Sequence, residues 1–471
     1  MKVLLINPPA ENEIKGSLPD IFFEVRGLYV PLGLLYLAGY LRKLSRHRIS
    51  VIDSQVENLD YSALEDRIRI AHPDVVGMTA LSATLVDVIK TAEMIKRIDK
   101  NIAVVLGGVH VFLFPEETIK FRDVDYLVLG EGEESFRELL EYIGDEEKLK
   151  VTPGLVFKRK DSIITTGIRP PIDRLDKIPF PARDLVPYRK YFSILSSNKI
   201  TTTVFTSRGC SFRCSFCYRE HLGGVLRFRS AENVVDELEE CLGMGIDEFI
   251  FYDDTFTIDR NRVLGICSEI KRRRLDIPWH IRTRVDCVDE EMIRCLKRAG
   301  CQSIHYGVES GSEKVLKALN KDISLNTVKE TFKLTKKYGI AALAYFMIGN
   351  PGETVEEIGA TFKFMKELDP EYVHLAVLSP FPGTKIYLDG VASGAILRDY
   401  WREFARSPSS DFRLPYWEAT VKREKLDSLL KFGYQYFYMR LGYLWKMLRR
   451  IKTFYEFKQK LCAGIKVFAM R

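Results

Sequence analysis

Three cysteines fall within eight residues near the middle of the chain, at Cys210, Cys214 and Cys217. Thiolates are soft ligands, and this spacing lets one loop reach three corners of a single iron–sulfur cube. No fourth cysteine follows at short range, so one iron of a [4Fe-4S] cluster would keep an open position. An open iron suits a cluster that binds a substrate or cofactor. The competing interpretations are free core thiols or a zinc site, although structural zinc normally takes four protein ligands.

Strands and helices alternate around this loop, which follows the β-branched, apolar segment Thr201–Thr206. Further strands are predicted at Glu248–Tyr252, Trp279–Arg284, Ser303–Gly307, Ala342–Ile348 and Tyr372–Leu378. Amphipathic segments predict helices at Ala231–Leu242, Arg260–Arg273, Asp289–Ala299, Ser312–Leu319, Leu325–Tyr338 and Val355–Glu367. Six strand–helix units predict a partial (β/α)6 barrel.

In such barrels the chemistry belongs at the carboxyl ends of the strands. Polar and glycine-rich segments stand at the predicted ends, and they supply the candidate site residues Asp254, Arg282, Arg284, Glu309, Gly349 and Pro351. Guanidinium groups pair bidentately with carboxylates, and glycine and proline permit a tight turn. For each charged residue, a structural ion pair inside the barrel is the competing interpretation.

Residues 1 to about 143 form a second alternating unit, without any cysteine. Short apolar runs at Val3–Asn7, Ile49–Asp53, Val75–Ala80, Ala103–Leu106 and Tyr126–Leu129 predict a doubly wound parallel sheet. Ligands of these sheets bind at the carboxyl ends of the strands, where the sequence places Thr79, Ser82, Gly107, Gly108, Gly130 and Glu131. Glycines there let the backbone approach a bulky ligand. The competing interpretation is an empty crevice.

Length and composition limit the number of domains, the class of protein and its expected location. The 471 residues allow two or three domains, and 46% hydrophobic with 29% charged residues indicates an ordinary globular chain. No apolar run approaches the length of a membrane span. The nine cysteines indicate metal ligation and free thiols in a reducing compartment, hence a cytoplasmic location. Six of them are scattered and are expected to be small buried hydrophobes.

The carboxyl-terminal end differs from the rest, because residues 421–471 hold 13 Lys and Arg, 3 Asp and Glu, and 11 aromatic residues. The favoured interpretation is a helical extension packed on the barrel. Contact with the inner face of a membrane is the second interpretation, and nucleic-acid binding is not part of the prediction. The predicted domains are 1–144 (α/β), 145–199 (a proline-containing linker), 200–390 (barrel) and 391–471 (basic, aromatic helical extension).

The Cys-x3-Cys-x2-Cys loop, with Phe216 before its last cysteine, resembles that of the radical S-adenosylmethionine (radical SAM) enzymes. The first domain, and above all its turns at Gly107-Gly108 and Gly130–Glu133, resembles the cobalamin-binding domain ahead of many radical SAM cores. One departure matters, because Asn7-Pro8-Pro9-Ala10 stands where other cobalamin proteins carry Asp-x-His-x-x-Gly. The cobalt would then receive no histidine from that motif. His110 is expected to hydrogen-bond within its loop rather than to bind cobalt.

The resemblance implies the fold and the cofactors together. The expected fold class is α/β, with a Rossmann-like cobalamin domain, a radical SAM partial TIM barrel and a helical extension. The resemblance implies a [4Fe-4S] cluster held by the three cysteines, S-adenosylmethionine (SAM), and cobalamin against the six first-domain residues. Arg282 or Arg284 would pair with the SAM carboxylate, Asp254 and Glu309 with its amino group or ribose, and the Gly349–Pro351 turn with its adenine.

The implied reaction is reductive cleavage of SAM to a 5′-deoxyadenosyl radical, followed by cobalamin-assisted methyl transfer or by cyclisation at an unactivated carbon. The resembling group includes anaerobic Mg-protoporphyrin monomethyl ester cyclase-like proteins and cobalamin-dependent methylases. The expected partners are a small-molecule, lipid or tetrapyrrole-like substrate and an electron donor such as flavodoxin or ferredoxin.

Two other functions remain open from the sequence. A methylthiotransferase would typically carry a second cluster, whereas the first cysteine of this chain is Cys210. A non-enzymatic iron–sulfur regulatory protein with a vestigial cobalamin domain would keep the cluster but would not need the polar strand ends.

Overall fold

The computed structural model describes residues 1–16, 27–160, 162–193, 200–222 and 224–449. Two parallel sheets form its framework. The strands are β1 (Lys2–Asn7), β2 (Arg48–Asp53), β3 (Val75–Thr79), β4 (Ala103–Gly107), β5 (Tyr126–Val128), β6 (Leu155–Arg159), β7 (Ser162–Thr165), β8 (Thr201–Val204), β9 (Ser207–Arg208), β10 (Arg227–Phe228), β11 (Glu248–Phe251), β12 (Trp279–Arg284), β13 (Cys301–Glu309), β14 (Ala341–Ile348) and β15 (Tyr372–Val377).

Helices cover both sheets. They are α1 (Leu32–Leu44), α2 (Ser54–Glu57), α3 (Tyr61–Ala71), α4 (Leu85–Ile98), α5 (Val109–Leu113), α6 (Pro115–Ile119), α7 (Gly132–Tyr142), α8 (Glu146–Val151), α9 (Ala231–Gly243), α10 (Arg260–Arg272), α11 (Glu290–Arg298), α12 (Glu313–Ala318), α13 (Leu325–Lys337), α14 (Val355–Leu368), α15 (Lys385–Ala392), α16 (Tyr400–Arg406), α17 (Arg423–Tyr438) and α18 (Leu441–Arg449).

The first sheet has the strand order β2-β1-β3-β4-β5-β6-β7, in which β1 to β5 are parallel. The doubly wound fold is therefore confirmed. Residues Val3 to Ile6 of β1 are fully buried, because helices cover both faces of the sheet. The hairpin of β6 and β7, which lies in the predicted linker, extends this sheet in antiparallel fashion. The strand order reverses beside β1, which opens a crevice at the carboxyl ends of β1 and β3.

The second sheet runs β15-β14-β13-β12-β11-β8, with all neighbours parallel. Sequential parallel strands with helices on one side confirm the partial barrel. Six of its helices begin directly after a serine, threonine or aspartate whose side chain accepts a hydrogen bond from the first turn. These capping residues are Ser230, Asp259, Asp289, Ser312, Ser324 and Thr354.

The described part of the tail packs on the barrel. Tyr434 and Tyr438 of α17 lie four residues apart, and their hydroxyls bond both the N–H and the C=O of Leu375 and Val373 on the edge strand β15. Tyr443 donates to the next outward carbonyl, at residue 371. The three tyrosines thus cover an exposed strand edge, which agrees with a packed helical extension. In the described ranges no helix is long and apolar enough to cross a membrane, and residues 450–471 of the tail lie outside them.

The segment between the barrel and this tail packs elsewhere. Tyr387 of α15 and Trp401 and Phe404 of α16 belong to the hydrophobic core of the first domain. Arg402 of α16 also pairs with Glu117 of α6 at 2.9 Å. The chain thus returns to its first domain before it reaches α17, and the domain boundaries given above stay a prediction.

Candidate active site between the two sheets

The cysteine loop begins where β8 leaves the barrel, and one buried carboxylate holds it there. Asp253 accepts hydrogen bonds from the backbone N–H groups of Thr206 at 2.7 Å and Ser207 at 3.3 Å. Gly209 follows with φ +89°, and a Cβ at this position would lie 2.5 Å from the carbonyl oxygen of Val225. Only glycine fits a turn of this kind, so the sequence around the cysteines fixes the path of the loop.

The three cysteines lie close enough to influence one another. Burial raises the pKa of Cys214, and burial together with Asp254 raises the pKa of Cys217 to about 11; Cys210 contributes to both shifts. Thiolates, which bind metal, therefore need a cationic centre at this place. Within the described residues, no group of three or more His, Cys, Asp or Glu side chains is arranged to hold a metal ion. A four-iron cube is wider than one ion, so three separated thiols on one loop fit the cluster.

Charged side chains surround the cysteine loop. Arg284 directs Nη1 at the sulfur of Cys214 from 3.5 Å, while its other nitrogens bind the carboxylate of Asp286 at 2.8 and 2.9 Å. Glu309 ends β13 with φ +73° and pairs with Lys321 at 3.0 Å. Both members of this pair influence the thiol of Cys214. An ion pair, the competing interpretation for Glu309, is therefore present beside Cys214, and the predicted role of Glu309 in binding SAM stays a prediction.

Asp254 and Arg282 have fewer partners than the other charged residues. Asp254 is exposed and lies close enough to Cys217 to raise its pKa. Arg282 donates from Nη2 to the hydroxyl of Tyr252 at 2.9 Å, and its guanidinium lies 3.9 Å from the centre of the same ring. Its Nε is buried without a hydrogen-bond partner in the described part of the chain.

The turn after β14 is tight, as predicted, and the tail helix packs against it. Gly349 adopts φ +78°, and a Cβ there would meet Leu426 of α17 at 3.0 Å and Val377 at 3.4 Å. Its glycine is thus explained by the close approach of the tail helix. Contact of Gly349 or Pro351 with adenine stays a prediction.

A cavity of about 1010 Å³ lies between the two sheets, at the upper end of the usual size for small-molecule sites. All six residues predicted for the first domain line it: Thr79, Ser82, Gly107, Gly108, Gly130 and Glu131. Cys217 and Tyr218 of the cysteine loop line it from the opposite side, together with Tyr252 of the barrel. A Cβ on Gly107 would meet nothing closer than 3.6 Å. The absent side chain therefore leaves open space for a large, flat group, which fits cobalamin.

Two first-domain residues are held by neighbours rather than free. Burial lowers the pKa of His110 to about 4, and the neutral ring bonds the hydroxyl of Ser82 at 2.9 Å, as expected from the sequence. The carboxylate of Glu131 binds Arg227 at 2.7 and 3.0 Å and Arg208 at 3.2 Å. Glu131 thereby ties the glycine turn to the strand that leads into the cysteine loop. A direct contact between Glu131 and a cofactor stays a prediction.

Sequence reasoning missed Lys321 and Thr255. Lys321 follows α12 and is buried against Glu309, while the hydroxyl of Thr255 lies 3.7 Å from the sulfur of Cys210. Thr255 follows Asp254 and could have been found from the strand end. No sequence signal marks Lys321, because it comes close to Cys214 only through its pairing with Glu309 at the end of β13. Among the scattered cysteines, Cys241, Cys267 and Cys301 are buried as expected, whereas Cys287 and Cys295 are only half-buried.

Known proteins resemble the chain along nearly its whole length. Residues 204–365 match the model of the Radical SAM superfamily, and residues 19–140 match that of the B12 binding domain. An uncharacterised methyltransferase of Pyrococcus horikoshii is 35% identical, with 93% of each chain covered. The anaerobic magnesium-protoporphyrin IX monomethyl ester cyclase of Rubrivivax gelatinosus is 28% identical, with 82% of this chain and 69% of that one covered.

Among solved structures, the cobalamin-dependent S-adenosylmethionine radical enzyme OxsB, with aqua-cobalamin and S-adenosylmethionine bound, superimposes with a TM-score of 0.75. Its sequence is 18% identical, and the match covers 99% of this chain and 71% of that chain. The likeness shows a shared fold.

Proposed function

The chain belongs to the radical SAM superfamily and carries a cobalamin-binding domain, and from this premise we propose that it methylates an unactivated carbon of a small-molecule substrate. It is an enzyme with a [4Fe-4S] cluster, SAM and cobalamin as cofactors, and its reaction class is methylation or cyclisation. One observation supports the narrower proposal: the cysteine loop and the glycine turns of the first domain line a single cavity.

When bound, these cofactors supply reductive cleavage of SAM, hydrogen abstraction from the substrate and a transferable methyl group. The residues of the chain bind and orient them. Cys210, Cys214 and Cys217 would hold the cluster. Arg284 and Lys321 lie beside Cys214, each paired with a carboxylate, and the carboxylate of SAM would share their N–H donors. Asp254 is exposed beside Cys217 and is free to accept a hydrogen bond from the amino group.

The first domain acts through its shape. Gly107, Gly108 and Gly130 keep one wall of the cavity close to backbone level, and Ser82 presents a hydroxyl held by His110. Loop residues Phe381, Pro382 and Thr384 close the cavity from the end of β15 and help exclude water from a reactive intermediate. Cyclisation is the second candidate function, favoured by the similarity to the Rubrivivax cyclase.

The proposal includes an electron donor of the flavodoxin or ferredoxin type, a cytoplasmic location and a small-molecule, lipid or tetrapyrrole-like substrate. Membrane contact is left out of it, because the described tail residues pack on the barrel.

Anaerobic reconstitution with iron, sulfide and hydroxocobalamin, followed by SAM and dithionite, tests the proposal. We expect 5′-deoxyadenosine from the wild-type protein and from C295A, whose half-buried thiol packs against the barrel core, and none from C217A. A protein with an intact four-iron spectrum that fails to cleave SAM would not be an enzyme of this kind.

A further inference from the structure

Arg282 differs from the other arginines in the interior of the molecule. Six arginines with little exposed side-chain surface each have a carboxylate within 4 Å: Arg183, Arg208, Arg227, Arg229, Arg262 and Arg284. Arg282 has no carboxylate partner among the residues that the structure describes, and its hydrogen-bond acceptor there is the hydroxyl of Tyr252. A guanidinium remains charged in proteins, and removing a charge from water without a counter-ion is unfavourable.

Among the described residues, the group in contact with Arg282 provides a hydrogen bond but no negative charge. Tyr29, Tyr252 and Tyr345 lie around its guanidinium, and so do His305 and His374. Burial lowers the pKa of both histidines, to about 3 and about 4, so both rings are neutral near pH 7. Within the part of the chain that the structure describes, the charge of Arg282 is therefore not compensated by a contacting carboxylate. Arg282 does not itself line the large cavity, but its neighbours Tyr29 and Tyr252 do, so a ligand in the cavity comes next to the residues that surround it.

The carboxylate of SAM fits Arg284 better than Arg282. Arg284 lies 3.5 Å from the sulfur of Cys214, and a group that binds SAM next to the cluster must lie beside the cluster ligands. Arg282 is two residues earlier on the same strand and projects from the same face, about 7 Å further from the strand end. The two arginines can therefore serve two different anions.

We propose that Arg282 binds a carboxylate of the substrate, so that the substrate is an organic acid with a largely apolar body. One guanidinium matches one negative charge, and its free edge suits the two oxygens of a carboxylate. On the barrel side the cavity is lined by apolar residues such as Phe205, Phe216 and Phe381, which suits the rest of the molecule.

This inference rests on the proposed function, since it names the substrate class for the same cavity. Its test uses the reconstituted protein with cluster, hydroxocobalamin and saturating SAM, without reductant, so that the SAM site is filled. Anaerobic calorimetry would compare benzoate with benzamide and 1-naphthoate with 1-naphthamide. We expect each acid to bind at least about tenfold more tightly than its amide. R282M should abolish that preference, and R282K should restore part of it.

R284M provides the matched control. It should keep the preference for the acid and should weaken SAM binding more than R282M does. The inference is overturned if the wild-type protein binds acid and amide equally, if the preference survives in R282M, or if R284M alone removes it. Release of 5′-deoxyadenosine from the same wild-type preparation after addition of dithionite reports separately on the proposed function.

Discussion

The two walls of the central cavity are built in opposite ways. On the barrel side Cys217 lines the cavity, and Cys214, Asp254 and Arg284 lie close to it in the structure. The first-domain wall presents glycines and the hydroxyls of Thr79 and Ser82, and its carboxylates at Glu131 and Glu133 are paired with arginines. A zwitterion and an iron–sulfur cluster need charge and soft ligands, whereas a large macrocycle needs space and a flat surface. Changes of charge should therefore damage the barrel wall, and changes of volume should damage the first-domain wall.

The largest effect should follow from removing a ligand on the barrel wall. C214A should lose the four-iron absorbance and lower SAM cleavage by at least about a thousandfold, because three thiolates are the minimum for an open-iron cluster. Iron content, visible spectrum and 5′-deoxyadenosine give the measurement. C295A should retain all three properties, and a four-iron spectrum in C214A would show that the loop has been assigned wrongly.

On the first-domain wall, the volume of the side chain at position 107 should decide whether cobalamin is retained. G107F should lower cobalamin retention at least about tenfold, because the ring would occupy space that a Cβ alone leaves open, while the four-iron spectrum remains. G107A is the matched control and should retain cobalamin. The measurement is bound cobalamin per protein after desalting. Equal retention in both variants would mean that this wall does not contact the macrocycle.

The junction between the walls tests whether they are fixed to each other. R208M should lower the free energy of unfolding by about 3 kcal/mol, because it leaves Glu133 without its partner and Glu131 with Arg227 alone. R260M removes pairs with Asp289 and Glu291 that are about half exposed, so it should cost much less stability than R208M. Denaturant unfolding of the two variants measures the difference. Equal losses of unfolding free energy in R208M and R260M would show that Arg208 does not fix the two walls to each other.

The smallest effects on stability should come from two buried groups, Glu353 and His110, because burial shifts their pKa values in opposite directions. Burial raises the pKa of Glu353, behind the barrel wall, to about 7, so the folded protein loses stability as pH rises from about 4.5 to 7. Burial lowers the pKa of His110 to about 4, so the folded protein loses stability as pH falls from about 6.5 to 4. E353Q and H110N should each remove the pH dependence that the replaced residue contributes, which is worth about 2 kcal/mol of unfolding free energy.

Unfolding free energies of these two variants and the wild-type protein at pH 5, 6, 7 and 8 provide the test. The difference between wild type and E353Q should fall with rising pH, and the difference between wild type and H110N should rise. Parallel curves for all three proteins would show that neither group changes its pKa on folding.

Most of the fold could be predicted because apolar runs, which predict strands, alternate clearly with amphipathic segments, which predict helices. The apolar runs at Val3–Asn7 and Tyr372–Leu378 became β1 and β15 within two residues of the predicted ends, since buried parallel strands need unbroken apolar segments. The cysteine loop and the glycine turns were recognisable because their chemistry depends on local spacing. The packing of α15 and α16 on the first domain was not predictable, because it joins segments more than 200 residues apart in the sequence.

The site was less predictable than the fold for the same reason. Arg282 and Arg284 look equivalent in sequence, and only the folded barrel shows that one is paired with Asp286 beside Cys214 and the other faces tyrosines. Glu309 pairs with Lys321, twelve residues later in the sequence, because the turn after α12 brings the two side chains together. Pairing between side chains, rather than residue type, decides which charges are available to a ligand.

The central claim is that the cluster and cobalamin face one another across one cavity. Electron paramagnetic resonance of the reconstituted protein, with the cluster reduced and the cobalamin as cob(II)alamin, tests it most directly, because both centres are paramagnetic. We predict magnetic coupling that broadens or splits both signals and disappears from the cobalamin signal in C214A. Two unperturbed signals in a preparation that contains both cofactors would contradict the account.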